Sequence, residues 1–243
     1  MLHALGPITG NELQAQDGVI GRCRDFLFDD TRWRIRYMVA ATGRWLAGRK
    51  MLVSPVALGR PDWEHRRLPV RLTRTQLEAA PALDEGAPVS RRWERAWFRH
   101  FGFPNYWDGL GSWGLGAPSG PQGDEARSQD AQAEGDPHLR STGEVTGYQV
   151  EAADGAIGHV AEFIVDDEDW TIRYLVVDTR DPLPGRKVLI APEWVDRVDW
   201  SRMVIAVELT RQAVRESPPW DPDAPVNREY EERLYGFYGR PVR

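Results

Sequence analysis

The chain has a single cysteine, Cys23, in 243 residues. That excludes an internal disulfide and a thiolate metal cluster. No run of 18 apolar residues occurs, so no transmembrane helix is expected. The opening MLHALGPITG lacks both the basic region and the long apolar stretch of a secretory signal. The five histidines, His3, His65, His100, His138 and His159, form no paired spacing, and none adjoins Cys23. A zinc site needs three or four ligands, and no spacing offers them. There is no G-x-S-x-G, no phosphate-binding glycine loop ahead of Lys-Ser or Lys-Thr, and no dinucleotide fingerprint. The expectation is a cytoplasmic protein that is not an enzyme and holds no cofactor or metal. An enzyme stays open only through a composite site built from distant segments.

The composition present is that of a soluble chain: 41% hydrophobic, 28% charged, net charge −6. Eleven tryptophans is a high count for the length. Asp17-Gly18-x-Ile20-Gly21 returns as Asp154-Gly155-x-Ile157-Gly158, an offset of 137 that holds without a gap to the end of the chain. Asp29-Asp30-x-x-Trp33-x-Ile35-Arg36-Tyr37 returns as Asp166-Asp167-x-x-Trp170-x-Ile172-Arg173-Tyr174. Residues 8–104 and 145–241 share 38 identities in 97 positions. The chain is therefore a duplication. The expected organisation is a first unit at 1–108, a linker at 109–144 and a second unit at 145–243. The linker holds Gly, Pro, Ser, Ala, Gln and acidic residues. It has too little apolar surface to offset its ordering entropy, so a flexible segment is expected, with an ordered loop as the alternative.

Strand signals dominate each unit. Trp33, Ile35, Tyr37 and Val39 alternate with Arg34, Arg36 and Met38, which predicts a strand with one buried face. Ile20–Phe28, Lys50–Val53 and Leu68–Leu72 read as further strands. Five or six short strands with turn residues between them suggest a small antiparallel barrel, whose closure would remove exposed edges. Thr73 and Gln76 fit a capping box, and Ser90 and Asn227 are N-cap types for a second helix in each unit. On that helix Trp93, Trp97 and Phe101 fall at helical spacing, matched by Tyr230, Leu234 and Tyr238. Trp33 with Trp170, and Trp63 with Trp200, are expected to be the same core used twice.

These motifs resemble the PRC-barrel family: Gly-x-x-Ile-Gly, a strand ending in Asp-Asp, then Trp-x-Ile-Arg-Tyr-x-Val. The family is named from the cytoplasmic domain of the photosynthetic reaction-centre H subunit. It includes the C-terminal domain of the 16S ribosomal RNA maturation factor. The tail Phe98-Arg99-His100-Phe101-Gly102-Phe103-Pro104-Asn105-Tyr106-Trp107 looks like the aromatic ending of stand-alone bacterial members. The second unit lacks the Tyr-Trp. The resemblance implies two PRC-type barrels in tandem, each followed by short helices, acting as a docking, assembly or scaffold module. It transfers no catalytic set. Two further roles follow by analogy: peripheral membrane-associated support of photosynthetic or other electron-transfer complexes, and a ribosome-maturation factor.

Asp29-Asp30 and Asp166-Asp167 read as turn formers or, alternatively, as a hard-cation site. Gly48-Arg49-Lys50 and Gly185-Arg186-Lys187 read as hairpin loops with a solvated basic pair, or as anion sites. The helix from Ser90 reads as packed on protein or as membrane-facing. Cys23 aligns with Val160 and reads as buried and unreactive. The candidate partner surface is Tyr106, Trp107 and Trp113, with Arg49, Lys50, Arg186 and Lys187. Net charge is +5 over 8–108, −4 over 109–144 and −7 over 145–243. Opposite charge on duplicated units favours their docking on each other as a pseudo-dimer. A protein partner is expected, nucleic acid is not, and peripheral membrane contact stays open.

Overall fold

The computed structural model describes residues 1–46, 49–84, 87–107, 135–179 and 186–241. The chain is mainly β. The first repeat contributes β1 (Leu2–Ala4), β2 (Glu12–Ala15), β3 (Gly18–Asp29), β4 (Arg34–Ala41), β5 (Met51–Val53), β6 (Arg67–Pro69), α1 (Arg74–Glu78) and α2 (Arg91–Phe101). Then come β7 (Leu139–Ser141), α3 (Thr142–Val145), β8 (Gln149–Ala152), β9 (Gly155–Asp166), β10 (Ile172–Thr179), β11 (Arg186–Ile190), β12 (Val195–Asp199), β13 (Val204–Val207), α4 (Arg211–Glu216) and α5 (Arg228–Phe237).

The chain divides into two compact units. One holds residues 8–31 and 35–139, the other 1–7, 32–34 and 140–243. The division after Leu139 falls inside the stretch read as linker. Residues 135–144 of that stretch carry the strand at Leu139 and the helix α3, which Ser141 caps by accepting from the Glu144 N–H. The rest of it, and Trp113, lie outside the described residues.

In the first-repeat unit the strand order is β5-β4-β3-β2-β6, with β7 also on β3. In the second-repeat unit it is β11-β10-β9-β8-β13-β12, with β1 on β9. Here Leu2 stands opposite Asp166 and Ala4 opposite Ile164. The second-repeat unit thus takes one of its strands from the sequence of the first repeat. Trp33 and Arg34 belong to it as well. The Trp33 carbonyl accepts from Ile172 N–H at 2.7 Å, and Arg34 Nε donates to the Asp169 carbonyl at 2.9 Å.

Closed antiparallel barrels are not what forms. Both sheets are mixed: β2 runs parallel to β6, and β8 parallel to β13. Among the described residues neither sheet closes. Period-two patterning marks a segment as a strand but carries no information on the direction of its neighbour.

The one-faced reading of β4 is also corrected. Ile35, Arg36, Tyr37 and Met38 are all buried, and Val39 is only half-buried. Arg36 looked like the solvent side, but it is buried because carboxylates meet it there. Trp33 and Trp170 precede their strands rather than alternate within them. Both sit at left-handed φ, +53° and +59°, as do the equivalent Arg66 and Met203 at +52° and +57°. Such values cost a non-glycine residue about 1–2 kcal/mol, and both repeats accept that cost at the same turns. Trp63 is 40% exposed and Trp200 half-buried, so that pair is not core.

The caps match expectation. Thr73 and Gln76 form the reciprocal capping box, and Ser90 and Asn227 accept from Trp93 N–H and Tyr230 N–H. Gly102 ends α2 at φ +70°. Gly21 and Gly158 are required by close approach. A Cβ would stand 2.2 Å from the Ala41 carbonyl oxygen in one and 1.9 Å from that of Asp178 in the other.

Candidate functional site

The aromatic face of α2 packs within its own unit. Trp93, Trp97 and Phe98 are buried, with Tyr37 edge-on to Trp93 at 5.7 Å and to Trp97 at 6.3 Å. Each such side chain contributes roughly 1.5–3 kcal/mol by leaving water. The helix turns inward the rings that a membrane surface would have needed. Tyr106 and Trp107 fold back on it, with ring centroids 5.9 and 5.8 Å from Phe98. Both are half-buried.

Beneath them lies a charged cluster. Glu94, in the first turn of α2, has 0% exposure. A buried carboxylate needs several partners, and Glu94 has them. Arg36 Nη2 and Tyr37 Oη donate to its Oε1, the latter at 2.8 Å. Arg91 Nη1 lies 3.0 Å from its Oε2. The Tyr106 hydroxyl lies 3.4 Å from both oxygens. The positive end of the helix dipole adds to the attraction. Arg36 also reaches Asp136 at 2.7 Å and Asp29 at 3.3 Å. Its guanidinium stacks on the Tyr106 ring at 4.6 Å, and that of Arg91 on Trp107 at 4.5 Å.

Electrostatics follow from this geometry. Burial works against the Arg36 charge, but the Glu94 carboxylate beside it raises its pKa above the ordinary value. Burial, then Glu94, push the Tyr37 and Tyr106 hydroxyls up, so both keep their protons. Burial opposes ionisation of Asp136, yet the His138 N–H and Arg36 hold its carboxyl below the usual range. Each of these groups is engaged by its neighbours. The cluster can clamp: it joins β4 to α2 and fixes Tyr106 and Asp136, which flank residues 108–134.

The second repeat keeps only part of it. Tyr174 Oη donates to Glu231 at 2.7 Å, as Tyr37 does to Glu94. No arginine joins Glu231 among the described residues. Arg228, equivalent to Arg91, pairs instead with Glu232 at 2.9 Å on the surface.

The basic pairs are half-buried and lie against carbonyls or a ring. Arg49 donates to the carbonyls of Glu78 at 3.2 Å and Ala80 at 2.9 Å, and Lys50 to that of Ala87 at 3.2 Å. Arg186 donates to the Ser217 carbonyl, the repeat equivalent of Ala80. Lys187 lies over the Trp220 ring at 5.9 Å. Orphan carbonyls after a short helix attract such donors, which engages Arg49, Lys50 and Arg186. Asp29 accepts from Thr31 N–H at 3.0 Å and Asp166 from Glu168 N–H at 3.1 Å, both turn bonds. Among the described residues no group of three or more His, Cys, Asp or Glu is placed to hold a metal ion. Cys23 is buried, which pushes its thiol up to about 12. No helix among the described residues is long and apolar enough to cross a membrane.

No protein-family model matches the chain, and no curated protein matches it. The cluster's geometry and the internal duplication therefore carry the functional reading.

Glu94 and Arg36 were not among the residues singled out from sequence. Their signal was present. Around position 94 the repeat inverts charge, with Arg92 against Glu229 and Arg95 against Glu232. Glu94, Arg36, Tyr37 and Arg91 nevertheless stay identical to Glu231, Arg173, Tyr174 and Arg228.

Proposed function

We propose that the protein is a non-catalytic assembly module made of two PRC-barrel-type repeats acting as an intramolecular pseudo-dimer. One observation carries the reading: the second-repeat unit includes residues 1–7 and 32–34, so its fold draws on both repeats. A strand supplied from outside the repeat covers part of β9 and leaves less unpaired backbone for other chains. The buried clamp around Glu94 supports a static role, since each of its charged groups is spent on a neighbour. The membrane-support reading is the weaker one, because it rests on analogy and the α2 rings that a membrane surface would need, Trp93 and Trp97, are buried.

The test uses the whole chain with a protease site placed within residues 111–123. After cleavage the two fragments are expected to co-elute on gel filtration and to separate only in denaturant. Fragments that part under native conditions would remove the pseudo-dimer.

A further inference from the structure

A cleft of about 520 Å3 opens on the second-repeat unit beside the β8–β9 pair and the start of α4. Gly147, Gln149, Ile157, His159 and Arg211 line it. Gln149 and His159 are direct cross-strand neighbours, so their side chains share a face. Ile157 is buried and gives the cleft an apolar floor. The Nδ1 atom of His159 is buried and has no hydrogen-bond partner. Among the described residues no acceptor binds the Arg211 guanidinium; only its backbone N–H is taken, by Asp154 at 2.7 Å. A buried ring nitrogen left unpaired is costly, and its natural remedy is a ligand or ordered solvent.

The first repeat provides a comparison within the same chain. There Arg22 replaces His159, and its Nη1 donates to the Gly10 carbonyl at 2.9 Å. The side chain bridges the strand to the loop. Gly147 is the equivalent of Gly10, and the shorter imidazole makes no such bond to it. Exchange of one residue between repeats has left a buried ring nitrogen in the second cleft without a partner.

We propose that this cleft binds a small oxyanion, phosphate or carboxylate, held by Arg211 and His159 with Gln149 as a third donor. A guanidinium fork matches either anion in bidentate fashion. The site is independent of the assembly reading.

The test is a titration of inorganic phosphate, and separately of acetate, into the 15N-labelled full chain. Saturable shifts are expected at the Gly147, Gly158 and His159 amides, and the anion that saturates first identifies the source chemistry. Arg211→Ala should weaken binding about tenfold, the worth of one charged hydrogen bond. His159→Arg, which installs the first-repeat residue, should abolish it while amide positions elsewhere stay unchanged. Arg74→Ala, the equivalent substitution in the first repeat, should leave affinity as it is. If neither anion gives saturable shifts at those amides, or if Arg211→Ala and His159→Arg both bind as the parent does, the site does not exist.

Discussion

The two repeats share a Tyr–Glu pair but use it under different loads. In the first, Glu94 is fully buried and draws two arginines and a second tyrosine around it. In the second, Glu231 is half-buried and holds one tyrosine. The hydrophobic framework survives in both, with Trp97 and Phe98 replaced by Leu234 and Tyr235 without loss of burial. Duplication therefore preserved the packing and let the charges diverge. Electrostatic clamping is an addition to this fold and not a requirement of it.

The largest contrast is expected from removing the two glutamates. Glu94→Ala takes from Arg36 one of its three carboxylate partners, takes from Arg91 its only one among the described residues, and leaves the Tyr37 hydroxyl unpaired in the interior. It should cost about 3–5 kcal/mol, whereas Glu231→Ala loses one hydrogen bond, about 1 kcal/mol. Urea unfolding followed by tryptophan fluorescence measures both. Equal losses would mean that the arginines add nothing.

A smaller effect concerns acid. Asp136 has its pKa lowered in the folded state, chiefly by the His138 N–H and Arg36 against the opposing burial. A lowered carboxyl pKa contributes stability above its unfolded value. That stability is lost as pH falls through the folded value, here below about 4. Asp136→Asn should cost about 1 kcal/mol at neutral pH, because the pair is partly solvated, and should make the acid limb shallower. Among the described residues no ion pair holds Arg173, the equivalent of Arg36, so no carboxylate removed there should reproduce the change. An unaltered acid limb in Asp136→Asn would separate Asp136 from the clamp.

The smallest contrast lies at the helix caps. Thr73 and Gln76 exchange hydrogen bonds both ways, while Thr210 faces Ala213, which returns none. Thr73→Ala should cost about 1 kcal/mol and Thr210→Ala about half that, read from thermal unfolding. A larger loss at Thr210 would reverse the ranking of the two caps.

Much of the fold was legible in the sequence because its signals are local. The repeat, the β3 and β4 strands, the capping box and both helix N-caps each depend on residues within a few positions. Strand direction was not legible, since β6 meets β2 only after a long excursion of the chain. Nor was the burial of Arg36. An arginine in an alternating strand reads as the wet side unless its carboxylates are known to approach from α2 and from Asp136. The segment 135–144 read as linker because its order comes from bonds to distant residues, such as Asp136 to Arg36 and His138 to Asp30 at 2.9 Å. Of the candidate surface, Tyr106 and Trp107 were found by their aromatic character. Glu94 was passed over because charge suggests exposure, although its identity across an otherwise inverted helix face marked it.

Arg36 touches Tyr106 on one side and Asp136 on the other, so one guanidinium ties together two positions of the unit that are far apart in the chain. The entropy of closing a loop grows only with the logarithm of its length, about 0.6 kcal/mol for each doubling. Holding Tyr106 and Asp136 together therefore asks little beyond the bonds of Arg36 itself, and one side chain serves as the rivet for two distant positions of the unit.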